Sequence, residues 1–114
     1  MNNKKYLYLC ASIHNAMRIF SKSTIIIFYK KYTDAEMALK EWYVKTKAAD
    51  WSCFAEIKET FNSVDAVGND RYVFNIKGND YRLVACILFN FKVVYIKYIG
   101  THADYSKQKD VSKL

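Results

Sequence analysis

A change of hydrophobic period near residue 70 constrains this chain more than any other feature. Before it, apolar residues recur at helical spacing; from Arg71 onward they alternate with other residues at every second position. Period two belongs to a pleated strand with one covered face, so residues 71–76, 81–89 and 93–99 read as three antiparallel strands. Gly78-Asn79 separates the first two, and glycine in the first central position suits a type II′ turn. That turn sets Lys77 opposite Asp80, Asn75 opposite Arg82 and Val73 opposite Val84. The next turn falls near Asn90-Phe91.

This register sorts the side chains onto two faces. Tyr72, Phe74, Ile76, Tyr81, Leu83, Ala85, Ile87, Phe89, Val94, Ile96 and Tyr98 share one, which is wholly apolar or aromatic and belongs under helices. Arg71, Val73, Asn75, Arg82, Val84, Cys86, Leu88, Val93, Tyr95, Lys97 and Ile99 share the other. Its polar members are three cations and an amide. Such a face is either a cradle for RNA or an ordinary solvated surface, and the pattern alone leaves both open.

The first half supplies the helices. Ile19-Phe20 reads as a short strand. Residues 21–32 carry three consecutive isoleucines, yet Ile25, Phe28, Tyr29 and Tyr32 fall at helical spacing and predict a helix. Thr33-Asp34-Ala35-Glu36 has the form of a capping box. The helix after it is expected to run to about Ala49, with a buried stripe of Ala35, Ala38, Leu39, Trp42 and Thr46. Ser52 is placed to cap a shorter helix reaching Phe61. The expected fold is therefore α+β, a small antiparallel sheet with N-terminal helices on one face.

Length and composition fit one domain. The chain has 114 residues, no proline and three glycines, which argues against a long disordered linker. Residues 17–114 form that domain in this reading. Residues 1–16 are an N-terminal extension, and Met17 is a candidate start of translation. Lys4-Lys5 and a short apolar stretch resemble a signal peptide only loosely, with no A-x-A site following. Three cysteines, Cys10, Cys53 and Cys86, form no C-x-x-C pair. That disfavours a disulfide scaffold and a zinc site, and makes the reducing cytoplasm the expected location. The apolar runs are too short to span a bilayer. The net charge of +7 and the ten tyrosines suit a polyanion, because cations release phosphate counterions and aromatic rings stack on bases. Most surface lysines only solubilise, so charge alone points weakly to nucleic acid.

Chemistry can gather at the end of the last strand. His102 and Tyr105 are three apart, so one helical turn puts both on one side. Histidine can move a proton at cellular pH. RNA cleavage without a metal needs such a group for the ribose 2′-hydroxyl, and cations for the charge that builds on phosphorus. Arg82 and Lys97 are the cations nearest in register. Equally, Arg82 could be a structural partner of Asp80 or Asp104. No HExxH, P-loop or GxGxxG signature occurs.

Two strings resemble a known family. Tyr72-Val73-Phe74-Asn75-Ile76-Lys77-Gly78-Asn79-Asp80-Tyr81-Arg82-Leu83, followed by Ile99-Gly100-Thr101-His102-Ala103-Asp104-Tyr105, is similar to the HigB family of toxin–antitoxin ribonucleases. Trp42-Tyr43, Ala49-Asp50-Trp51 and Phe61 also look like family positions, so the resemblance spans about residues 17–105. It implies a RelE-like fold and metal-independent endonucleolytic cleavage of mRNA on translating ribosomes, with no cofactor. It also implies a helix-turn-helix antitoxin (HigA-like) that binds operator DNA as part of the pair. The motif positions are Asn75, Asn79, Arg82, His102 and Tyr105. Arg82, His102 and Tyr105 are the implied catalytic group, and Asn75 and Asn79 the implied RNA contacts. Arg71 and Lys97 join the RNA contacts by charge and face alone. Lys77 stands where a second glycine is common, and residues 1–16 have no counterpart. The alternative is a non-catalytic RNA- or ribosome-binding module that inhibits translation by occupancy. A degenerate toxin retained for antitoxin binding is a third reading.

Overall fold

A computed structural model describes residues 16–114. Five strands form one sheet: β1 (Arg18–Phe20), β2 (Val64–Gly68), β3 (Arg71–Ile76), β4 (Tyr81–Leu88) and β5 (Val93–Thr101), in the spatial order β1-β5-β4-β3-β2. Among the described residues, four α-helices accompany it: α1 (Lys22–Lys31), α2 (Glu36–Ala48), α3 (Phe54–Thr60) and α4 (His102–Ser106). The architecture is α+β, consistent with RelE-like toxins. The reading of residues 1–16 falls, but for Ala16, outside the described residues.

The core lies between the sheet and α1 to α3. Tyr72, Phe74, Ile76, Tyr81, Leu83, Ala85, Ile87 and Val94 pack against Ile25, Leu39, Trp42 and Ile57, as the period-two face requires. The α2 stripe is as expected, with Ala35, Leu39, Trp42 and Thr46 buried and Ala38 packed at its margin. Each such large apolar side chain contributes roughly 1.5–3 kcal/mol by leaving water. The isoleucine run is helical because that puts Ile25 in the core and Phe28 and Tyr29 beside it. Exposed pairs Glu36–Lys40 and Glu41–Lys45 support the outer side of α2.

The strand register is the one expected across β3 and β4, with Asn75 opposite Arg82 and Val73 opposite Val84. Five other features differ. The sheet is not wholly antiparallel, since β1 runs parallel to β5 at one edge. The period-two reading missed β2, a five-residue strand at the other edge that ends in the left-handed backbone of Gly68, Asn69 and Asp70. A register shift between Val84 and Ala85 skips Lys97, pairing Tyr98 with Val84 and Ile99 with Leu83. The extra residue moves Tyr98 off the core face and brings Ile99 onto it, reversing both assignments. Finally, Thr33–Ala35 forms a single 3-10 turn with no side-chain cap. The Glu36 N–H donates to the Thr33 main-chain carbonyl and the Glu36 carboxylate pairs with Lys40, so the capping box does not form; Asp34 beside it accepts from the Tyr81 hydroxyl and from Lys77 Nζ at 3.1 Å. Nor does Ser52 cap α3: Cys53 holds the cap position, and Glu56 reaches back to the Ser52 N–H.

The outer face is divided. Residues after α4 return across it to β2 and β3. There Arg71 donates to the main-chain oxygen of Leu114 at 2.7 and 3.0 Å, and Asn69 donates to that of Ser112 at 3.0 Å. Val73, Val84 and Cys86 lie on this face and are buried. Near β1 and β5 the described residues Arg18, Phe20, Tyr95 and Lys97 are exposed.

Candidate active site

The hairpin between β3 and β4 builds one wall of the site. Asp80 N–H bonds back to the Lys77 carbonyl at 3.2 Å, and Gly78 has the positive φ (+64°) that the glycine-first turn requires. Lys77 is also left-handed at φ 55°, a conformation that disfavours any side chain, which gives a physical reason for glycine there. The last register pair is then Ile76 with Tyr81. The Asp80 carbonyl is left to accept from His102 N–H at 2.9 Å, tying the turn to the start of α4.

The second wall is α4 itself. Thr101 caps it by accepting from Asp104 N–H at 3.1 Å. Thr101-His102-Ala103-Asp104 carries this capping signal in the sequence. The turn it starts puts His102 and Tyr105 on one side, as their spacing requires.

Arg82 stands between the walls. Its side chain is only 9% exposed. Nη2 donates to Asn79 Oδ1 at 2.7 Å and faces His102 Nδ1 at 2.9 Å; Nη1 donates to the Asn79 and Tyr81 carbonyls at 3.1 and 3.2 Å. The guanidinium also sits 5.7 Å from the centre of the Tyr105 ring. A guanidinium has no lone pair to offer, so Nδ1 is the acceptor and, in the neutral ring, the proton is on Nε2. Neither Asp80 nor Asp104 pairs with Arg82; every contact of the cation among the described residues is neutral. Burial pushes the Tyr105 hydroxyl above the ordinary tyrosine value, with Arg82 acting in the opposite sense.

The other expected residues lie apart. Asn75 is opposite Arg82 in register, but its amide donates to the Ser63 hydroxyl. Lys97 lies in the β5 irregularity, its ammonium 5.7 Å from the centre of the Tyr95 ring. Arg71 is at the far end of β3, opposite Cys86, engaged by Leu114. The structure thus gathers Asn79, Arg82, His102 and Tyr105, and leaves Arg71, Asn75 and Lys97 outside that contact group. Among the described residues, no three or more His, Cys, Asp or Glu side chains are grouped to hold a metal ion, and no helix is long and apolar enough to cross a membrane.

Residues 35–108 match the family model described as HigB_toxin, RelE-like toxic component of a toxin-antitoxin system. That span contains all four strands β2 to β5 and the whole Arg82 group. The chain belongs to the HigB toxin family. A relative named mRNA interferase HigB, from Escherichia coli O6:H1, is 33% identical over 93 residues, covering 80% of this chain and 90% of that protein. The mRNA interferase toxin HigB of Escherichia coli strain K12 and the mRNA interferase HigB of Shigella flexneri are each 37% identical over 51 residues, 43% of this chain and 49% of theirs. The family assignment thus reaches the α2 stripe and the sheet, as well as the two motif strings.

Proposed function

We propose that this HigB family member is a metal-independent endoribonuclease that cleaves mRNA on translating ribosomes in the cytoplasm. We further propose that a helix-turn-helix antitoxin restrains it and carries the pair to operator DNA. One observation supports the catalytic reading above the others. Arg82 is a nearly buried cation whose partners are all neutral, so its charge is left for an incoming anion. An RNA phosphate is such an anion.

The chemistry follows from the four side chains. The 2′-oxygen attacks the adjacent phosphorus while the bond from phosphorus to the 5′-oxygen breaks, leaving a 2′,3′-cyclic phosphate and a 5′-hydroxyl. Arg82 meets the negative charge that grows on the non-bridging oxygens. As its Nη2 turns to phosphate, the His102 Nδ1 lone pair is released to take the 2′-hydroxyl proton. Tyr105, kept protonated by burial, gives a proton to the departing 5′-oxygen. Solvent then returns the proton from His102 to Tyr105. Asn79 fixes the guanidinium through two acceptors, and is a positioning residue in this scheme.

Incubating the purified protein with mRNA-programmed ribosomes and a chelator tests this. Expected products carry 5′-hydroxyl and cyclic-phosphate ends. Translation arrest with uncut mRNA would favour the occupancy mechanism instead.

A further inference from the structure

We propose that Phe20 and Tyr95 form a base-stacking platform for single-stranded RNA on the open part of the outer sheet face. This rests on RNA being the substrate. The two rings face each other across the parallel β1–β5 pair, 5.5 Å apart with planes 26° from parallel. They remain 43% and 39% exposed. Other aromatic pairs, such as Trp42 with Phe74 and Phe28 with Tyr81, instead lie in the core cluster or pack against it. Two large rings left in water on neighbouring strands are available to a ligand, and the ladder fixes their backbones in advance.

The surroundings define the ligand. Lys97 Nζ lies 5.7 Å from the centre of the Tyr95 ring. Arg18 is two residues before Phe20 on the same short strand, so it shares the Phe20 face, and it is exposed. Neither cation has a carboxylate partner among the described residues. Aromatic faces flanked by unpaired cations suit bases joined by phosphates, and stacking accepts any base. The position is equally informative. β5 runs from Tyr95 past Lys97 to Gly100, which lies opposite Arg82. At about 3.3 Å per residue, that separates platform and guanidinium by roughly 15 Å, within reach of a short stretch of extended RNA. The platform would hold bases beside the cut site, while the Arg82 group acts on the phosphate.

The test is fluorescence anisotropy with a labelled single-stranded oligoribonucleotide and full-length protein carrying His102→Ala, so that the probe stays intact. Adding Tyr95→Leu should weaken binding by about tenfold, whereas Tyr95→Trp should preserve it. An abasic nucleotide at the stacked position should cost the same factor against Tyr95 and nothing more against Tyr95→Leu. Melting curves establish that each variant is folded, and Phe20→Leu provides a second variant at the partner ring. Unchanged affinity of folded Tyr95→Leu and Phe20→Leu proteins, or no RNA binding by the parent, overturns the platform. Cleavage by the unsubstituted protein is scored separately on programmed ribosomes. Cleavage with unchanged Tyr95→Leu affinity removes the platform alone; ring-dependent binding without cleavage removes the nuclease reading alone.

Discussion

Nη2 of Arg82 lies 2.9 Å from Nδ1 of His102, and this contact joins the β3–β4 hairpin to the helix that follows β5. It places a permanent cation beside a proton-accepting nitrogen. Lysine preserves the charge at position 82 but cannot reach Asn79, the Tyr81 carbonyl and His102 with one planar fork. Arg82→Lys should therefore fold and still lose cleavage by about 100-fold or more, as the loss of one transition-state donor does. Initial cleavage rates on programmed ribosomes, with a melting curve for each protein, measure both.

Tyr105→Phe separates the hydroxyl from the ring. The face over Arg82 remains, so stability should change little. The proposed proton donor is gone, and the rate should fall by about 100- to 10,000-fold. Single-turnover rates check this. A variant with unaltered rate would leave Tyr105 only its contact with the guanidinium.

Tyr81 predicts the pH limits of stability. Its bond to Asp34, together with burial, pushes its hydroxyl up to about 12. Folding thus favours the protonated form, so this contribution is complete below the ordinary tyrosine value of about 10 and fades as pH rises toward about 12. Asp34 works in the other sense. The Tyr81 and Lys77 hydrogen bonds hold its carboxyl below the usual range, so its contribution disappears as pH falls through that lowered value. Urea midpoints measured across alkaline pH should decline for the wild type and stay flatter for Tyr81→Phe.

How much of this was legible in the sequence depends on distance along the chain. The Asn75–Arg82 pairing was readable because a short turn fixes register locally, and the His102–Tyr105 spacing is a property of one helical turn. The Lys97 irregularity was not readable, since alternation continues through Val93–Thr101 whichever residue is skipped. The bonds of Asp34 to Tyr81 and Lys77, more than 40 residues away, were not readable, since nothing local to Thr33–Glu36 announces them. Arg71 carries the charge of an RNA contact, yet only the chain's return shows it bound to Leu114. Asn79 was visible as a motif position, whereas its grip on Arg82 required the side-chain geometry.

Gly100 yields a prediction of its own. It pairs with Arg82, and a Cβ there would meet the Tyr98 hydroxyl and lie 2.6 Å from the ring carbon that bears it. Gly100→Ala should cost about 1–3 kcal/mol in the wild type. The same change should cost much less in a Tyr98→Ala background, because the obstructing ring is absent. A double-mutant cycle from denaturant unfolding measures this coupling.

The central claim is that this chain cuts mRNA with the group centred on Arg82. Mapping mRNA 5′ ends genome-wide after brief induction, for the wild type and for Arg82→Ala at matched protein levels, tests it most directly. The account predicts new 5′-hydroxyl ends within coding sequences for the wild type and their loss in the variant. Equal end profiles from folded wild-type and variant proteins, or growth arrest with no new ends, would contradict it.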